Sequence, residues 1–258
     1  MNNLPTNEMI ADVSSRNAMD YLRDLDSDQC DFSPMIHLFS KDIESPIMIM
    51  QLPPMTSDTQ EEKMFLHMLS LPFLSLLPIE VVSVVQDTWF TKVEKTEENK
   101  DDFINSQEYT RPSESLDRES GLVTLVIKAD NTGIFHMNEY GRDDKGYLFT
   151  KSVNHNEIKD WTDEETHQSW VVPMMMSGLD KNNTEVLVKD KEFGLEGGLT
   201  ALMSGFDILN KAGFMYMIHP DFIDVVESYY KDISDTEVYQ TFMTEVKEQI
   251  ANAYKEEE

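Results

Sequence analysis

The chain has 258 residues, of which 49 are Asp or Glu and 21 are Lys or Arg, giving a formal net charge of −28 at neutral pH. That balance argues against direct nucleic-acid binding, which needs Lys and Arg to replace counterions along the phosphates, and against docking on an anionic membrane. A basic protein or a polycation is instead attracted.

The acid is spread along the chain: residues 1–32 hold seven acids and two bases, 94–119 nine and four, and 220–258 eleven and three. The plain reading is a solvating surface that opposes association, and the sharper one is a decoy offering carboxylates in place of phosphates to a DNA-binding protein. A hydrophobic fraction of 40% is enough for a real core. Cys30 is the only cysteine, so no internal disulfide framework or thiolate metal cluster is expected and a reducing, cytoplasmic setting follows. Met1 to Asp12 has neither the basic nor the apolar region of a signal peptide. The longest uncharged run, Met64 to Ile79, is broken by Pro72 and Pro78 and is too short to span a bilayer.

In chain order, Asn7 can cap a first helix with Ile10, Val13, Ala18, Tyr21 and Leu22 near one face, ended by Asp24 to Asp31. The runs Met35 to Phe39 and Ile47 to Leu52 read as paired strands. Ser57 or Asp58 can cap a helix from Thr59, with Met64, Phe65, Met68 and Leu69 as its buried stripe and Pro72 as its stop. Ile79 to Phe90, nearly all apolar, is the clearest strand and is expected at the centre of a sheet. Residues 91–120 are polar and aperiodic and read as a long exposed loop. Leu122 to Ala129, a turn at Asp130 to Gly133, Ile134 to Tyr140 and Tyr147 to Val153 form a meander. Asn154 to His167 reads as polar and briefly helical, and Trp170 to Met176 and Glu185 to Lys189 as further strands.

From Gly194 the pattern turns helical. Leu195 to Leu209 is followed by Gly213, Pro220 opens a second helix through Phe222, Val225, Val226 and Tyr229, and Asp235 caps a third through Val238, Phe242, Val246 and Ile250. The expected fold is α+β, a mixed or antiparallel sheet with flanking helices over 1–190 and a helical C-terminal subdomain over 191–258.

Gln86-Asp87-Thr88-Trp89 at the end of a strand, a variable polar loop, Arg111-Pro112-Ser113-Glu114, and Asp117-Arg118-Glu119 leading into the next strand resemble a group of uncharacterised phage and phage-like proteins over residues 35–135. The chain departs from that pattern at Leu116, where the group has Pro. The resemblance implies a phage origin and transfers no catalytic residues. On charge and geometry, Asp87, Glu114, Asp117 and Glu119 with Arg111 and Arg118, beside Trp89, can meet where the loop leaves and rejoins the sheet. Arg–carboxylate pairs would then pin the loop, and the alternative is a ligand or partner contact at the same residues.

Other candidates are weaker. Asp24-Leu25-Asp26-Ser27-Asp28 begins like a calcium loop, but Gln29 and Met35 stand where Gly and a bidentate Glu are needed. His155, Glu157, Glu164 and His167 have no familiar metal spacing, so no metal is expected. Gly194-Leu195-Glu196-Gly197-Gly198 precedes a helix but lacks the Lys and Ser/Thr of a phosphate loop, and no cofactor is expected. Cys30, flanked by Asp28 and Asp31, is a poor nucleophile. The 17 methionines, including Met174 to Met176, Met203, Met215 and Met217, either fill an irregular core or make an adaptable binding surface. The function expected is that of an acidic accessory protein, not an enzyme, that binds a basic or nucleic-acid-binding partner protein. The alternative is an enzyme or virion component with a site near 91–120.

Overall fold

The computed structural model of the chain describes residues 6–24, 32–41, 45–53, 60–90, 119–145, 147–163, 171–180 and 194–253. A seven-stranded sheet runs through it, with every pairing antiparallel and the order β6-β5-β4-β3-β1-β2-β7. Its strands are β1 (Met35–Ser40), β2 (Met48–Gln51), β3 (Ile79–Phe90), β4 (Glu119–Lys128), β5 (Gly133–Arg142), β6 (Leu148–Ile158) and β7 (Met215–Ile218). The α-helices among the described residues are α1 (Asn7–Asp24), α2 (Gln60–Met68), α3 (Leu71–Leu76), α4 (Val171–Leu179), α5 (Gly194–Ala212), α6 (Asp221–Tyr229) and α7 (Glu237–Ala253). The fold is α+β.

β3 takes the central place that its apolar run predicts, with Val81, Val82, Val84 and Val85 buried towards both faces. The meander follows as β4, β5 and β6. Its first turn is set by Asp130, whose side chain accepts the Thr132 N–H at 3.0 Å, and by Asn131 at φ 67. Gly133, which opens β5, has no room for a side chain: an added Cβ would lie 1.9 Å from the Val126 carbonyl oxygen and 2.3 Å from Trp161 Nε1. Trp161 uses that gap to donate its indole N–H to the same carbonyl at 3.0 Å.

Among the described residues, one face of the sheet carries α1 and the other carries the remaining helices. Ile10 and Ala11 pack on Phe39, Val81, Val126 and Ile134, while Ala18, Met19 and Leu22 pack on Met35, Val85 and Leu122. On the opposite face α3, α4, α5, α6 and α7 share one large core with β1 to β4. Phe206 is its hub, edge-on to Phe73 with ring centroids 4.8 Å apart and to Phe222 at 6.5 Å. Tyr230, fully buried at the end of α6, donates its hydroxyl to the Leu76 carbonyl at 2.6 Å, and burial pushes its phenol up. The core is therefore continuous across the 190/191 boundary, and β7 from the C-terminal segment completes the sheet beside β2.

Several sequence expectations are corrected. Trp170 to Met176 reads as a strand, but Val171–Leu179 is a helix with Val171, Val172, Met175 and Leu179 buried against the core. Asn154 to His167 reads as briefly helical, but β6 runs on to Ile158 and a turn follows. Met64, Phe65 and Met68 are expected to be buried, yet all three are exposed, Phe65 to 59%, while Leu66 and His67 turn inward. Pro72 does not stop a helix; it lies in the first turn of α3, where its missing N–H costs nothing. The cap of α7 is Thr236 rather than Asp235, its hydroxyl accepting the Tyr239 N–H at 3.4 Å. The expected 91–120 loop ends earlier, since β4 begins at Glu119. The rest of that loop, the acidic run after Asp24, Cys30, the Ser57/Asp58 cap and Glu185 to Lys189 lie outside the described residues.

Candidate functional site

The sheet end from which residues 91–118 depart carries two of the predicted site side chains. Asp87 stands opposite Leu122 on the α1 face and accepts a hydrogen bond from the Tyr140 hydroxyl at 2.9 Å. Burial raises its carboxyl to about 6, against the opposing pull of that hydrogen bond and of the Thr88 backbone. Glu119 stands opposite Phe90, three rungs further along and on the other face, where Lys151 Nζ reaches it at 3.1 Å. Lys151 also lies 3.9 Å from Glu139, which is buried and accepts the Ser152 hydroxyl at 2.8 Å. The backbone of Trp89 pairs with Ser120 between them. Asp87 and Glu119 are thus not brought together. Arg111, Glu114, Asp117 and Arg118 lie outside the described residues.

A second constellation lies beneath α1. Antiparallel register places His37 beside Ser83, and Thr124 beside His136, on the α1 face. His37 and Ser83 have no solvent exposure, both ring nitrogens of His37 lack a hydrogen-bond partner, and so do Ser83 Oγ, Thr124 Oγ1, His136 Nδ1 and Ser14 Oγ above them on α1. Burial lowers His37 to about 3. It lowers His136 as well, and His155 acts in the same direction while Asp12 and Glu8 oppose it. Asn138 does find a partner, donating to Ser15 Oγ at 3.3 Å. A serine beside a histidine is nucleophile chemistry in outline, but neither residue lines the cavities that flank α1.

Those cavities differ in character. One of about 210 Å³ opens over β5 and β6 between Arg16, Arg23, His136, Asn138 and Thr150. The larger, about 460 Å³, runs along the other flank of α1, between Val13, Asn17 and Tyr21 of the helix and a floor of Met35, Ile49 and Met217. Pro46 and His219 also line it. Its floor is apolar and its lining contains Asp20 but no Lys or Arg. This groove has no single motif behind it, because its residues come from α1, β1, β2 and β7. The exposed methionines of β7 were its one legible trace.

Among the described residues, no group of three or more His, Cys, Asp or Glu is arranged to hold a metal ion, and no helix is long and apolar enough to cross a membrane. His155 and Glu157 sit on the exposed edge strand β6, where Glu157 accepts the Asn7 side-chain amide at 2.9 Å, while Glu164 and His167 lie outside the described residues. Gly194 to Gly198 forms the first turn of α5, with Gly194 at φ 53. Comparison with known proteins finds no matching family model, no matching curated protein and no matching solved structure.

Proposed function

We propose that the chain is an acidic accessory protein, not an enzyme, that binds a basic or nucleic-acid-binding partner protein. The observation that carries the reading is the surface of α6 and α7. Residues 221–253 contain eight carboxylates and two lysines, and every one of these carboxylates except Asp221 and every lysine is exposed. Among the described residues the ion pair that relieves this charge is Lys247 with Glu227 at 3.4 Å, and Asp221 also lies 3.4 Å from the imidazole of His219. A carboxylate surface with so few cationic partners among the described residues raises the local concentration of a cationic partner and speeds its docking. A phage origin, suggested by the resemblance over 35–135, would place such a protein in the host cytoplasm.

The test is a variant with Asp224, Glu227, Glu237, Glu245 and Glu248 changed to their amides, used beside the wild type to capture proteins from bacterial lysate. The reading expects a basic protein held by the wild type and lost by the variant at unchanged thermal stability. Equal capture by both would defeat it.

One observation favours a second reading. Asp87, with its raised carboxyl and its Tyr140 hydrogen bond, sits where residues 91–118 leave the sheet, which is where an enzyme or virion component would have its site. That reading expects Asp87→Asn to abolish a ligand-induced rise in melting temperature in a metabolite screen, and it fails if no ligand produces one.

A further inference from the structure

We infer that α1 is a detachable cover: the folded chain opens by lifting this helix off the sheet as a unit, before the rest unfolds, and so uncovers a strip of hydrogen-bonding side chains beneath it. The inference is independent of which partner the acidic surface binds.

The strip follows from the register of the sheet. On the α1 face His37 of β1 pairs with Ser83 of β3, and Thr124 of β4 pairs with His136 of β5. Ser83 stands opposite Val126 and Thr124 opposite Val85, so the two pairs are offset by one step of the pleat and together cross four strands on a diagonal. Apolar side chains flank that diagonal on both sides. Ile10 and Ala11 of α1 pack with Phe39, Val81, Val126 and Ile134 on one side, and Ala18, Met19 and Leu22 pack with Met35, Val85 and Leu122 on the other. Between these clusters the helix presents Ser14 and Ser15, both buried. The strip thus divides the apolar contact of α1 into two separate patches, whereas the helices on the opposite face share one continuous core with β1 to β4.

The strip is closed but not satisfied. Ser14, His37, Ser83 and Thr124 have no solvent exposure and His136 has 2%. Ser14 Oγ, both ring nitrogens of His37, Ser83 Oγ, Thr124 Oγ1 and His136 Nδ1 have no hydrogen-bond partner. Each of these groups loses water when α1 docks and gains no bond in return, so each weakens the docking of α1 and leaves the packing of the opposite core untouched. The polar contacts that hold the helix lie mostly at its ends: Asn7 donates to the Gly133 carbonyl at 3.2 Å and to Glu157 at 2.9 Å, and the Leu22 carbonyl accepts from Arg142 at 2.9 Å. Between them Ser15 accepts from Asn138 at 3.3 Å. Lifting α1 returns water to the whole strip while every strand pairing and the larger core stay in place, and those are the properties of a local opening unit.

The experiment compares adjacent positions of β3 that face opposite ways. In the full chain carrying Cys30→Ser, Ser83→Cys puts a thiol under α1 and Val84→Cys puts one in the opposite core, both positions being fully buried. Labelling by a small thiol reagent is timed in native buffer, and each rate is divided by that of the same thiol in the urea-unfolded chain. A detachable α1 predicts that Ser83→Cys labels at least about tenfold faster than Val84→Cys, and with a weaker dependence on urea, because the opening exposes little surface. Unfolding of the whole chain exposes both positions together, so a smaller difference, or faster labelling of Val84→Cys, overturns the inference. Thr124→Val added to Ser83→Cys removes one unpartnered hydroxyl at nearly constant shape and should slow its labelling about fivefold or more; an unchanged rate overturns the inference as well, since the strip would then not be what loosens the helix. Thermal melting shows which variants are folded, and Val82→Cys, buried on the same side as Val84, repeats the control should Val84→Cys melt early.

Discussion

His37 sits mid-strand in β1, beside the central strand β3, buried with neither ring nitrogen bonded, and its acid behaviour follows from that burial. Folded, its imidazole is lowered to about 3, whereas an unfolded histidine titrates near 6.5. The stability it allows is fully present above pH 6.5 and is lost as pH falls towards 3, roughly 5 kcal/mol over the window. His37→Leu should flatten the acid side of the stability profile between those limits, as measured by urea unfolding, and cost little at pH 7, because an unbonded polar ring gives way to an apolar side chain. A profile unchanged by the substitution would show that His37 is not the titrating group. Asp87 works in the opposite sense. Its folded carboxyl, raised to about 6, lies above the unfolded value of 3.8, so its stability is present below pH 3.8 and is lost as pH rises through 6. Asp87→Asn, which can still accept from Tyr140, is expected to stabilise the protein at pH 8 by roughly 1–2 kcal/mol and to have little effect at pH 3.5. Asp87 could be singled out in the sequence because an acid after an apolar strand is conspicuous. His37 could not, because one histidine inside Met35–Ser40 does not show that both its faces are buried.

The strands of the meander were legible because each is long and bounded by a turn with its own chemistry, such as Asp130 to Gly133. α4 and β7 were not. Val171 to Met176 is apolar on every side, so it shows neither a strand nor a helix period, and only the core against which it packs makes it helical. β7 is four residues long between two helices, and its pairing with β2 is a tertiary fact. The exposed side of α2 shows a related limit. The period of Met64, Phe65 and Met68 marks one face of a helix without saying which face the core takes, and Leu66 and His67 took it. At the β4–β5 turn, Gly133→Ala should cost at least ~3 kcal/mol, because the new methyl group meets the Val126 carbonyl and the Trp161 indole, neither of which can give way without breaking their hydrogen bond. The check is thermal unfolding alongside Gly213→Ala. Gly213, at φ 83, closes α5 with its N–H bonded to the Asn210 carbonyl and the Phe214 N–H to the Leu209 carbonyl, and Ala there should cost only about 1 kcal/mol.

For the whole molecule, the excess of 49 acids over 21 bases acts against compactness as well as against anionic partners. Raising NaCl from ~0.01 M to ~1 M shortens the screening length from ~30 Å to ~3 Å and should raise the melting temperature by several degrees. A flat response would mean that the carboxylates are compensated locally. The α+β architecture and the central place of β3 follow from patterns in single segments. The groove beside α1 does not, since α1, β1, β2 and β7 each contribute one or a few residues that look ordinary alone. The salt dependence of partner capture tests the central claim most directly. Tagged protein incubated with bacterial lysate should hold a discrete basic or nucleic-acid-binding protein at ~0.05 M salt and release it at ~1 M, as the mass spectra of the two eluates would show. An empty capture, or a set of proteins indifferent to salt, would contradict the account and leave the charge as a solvating surface.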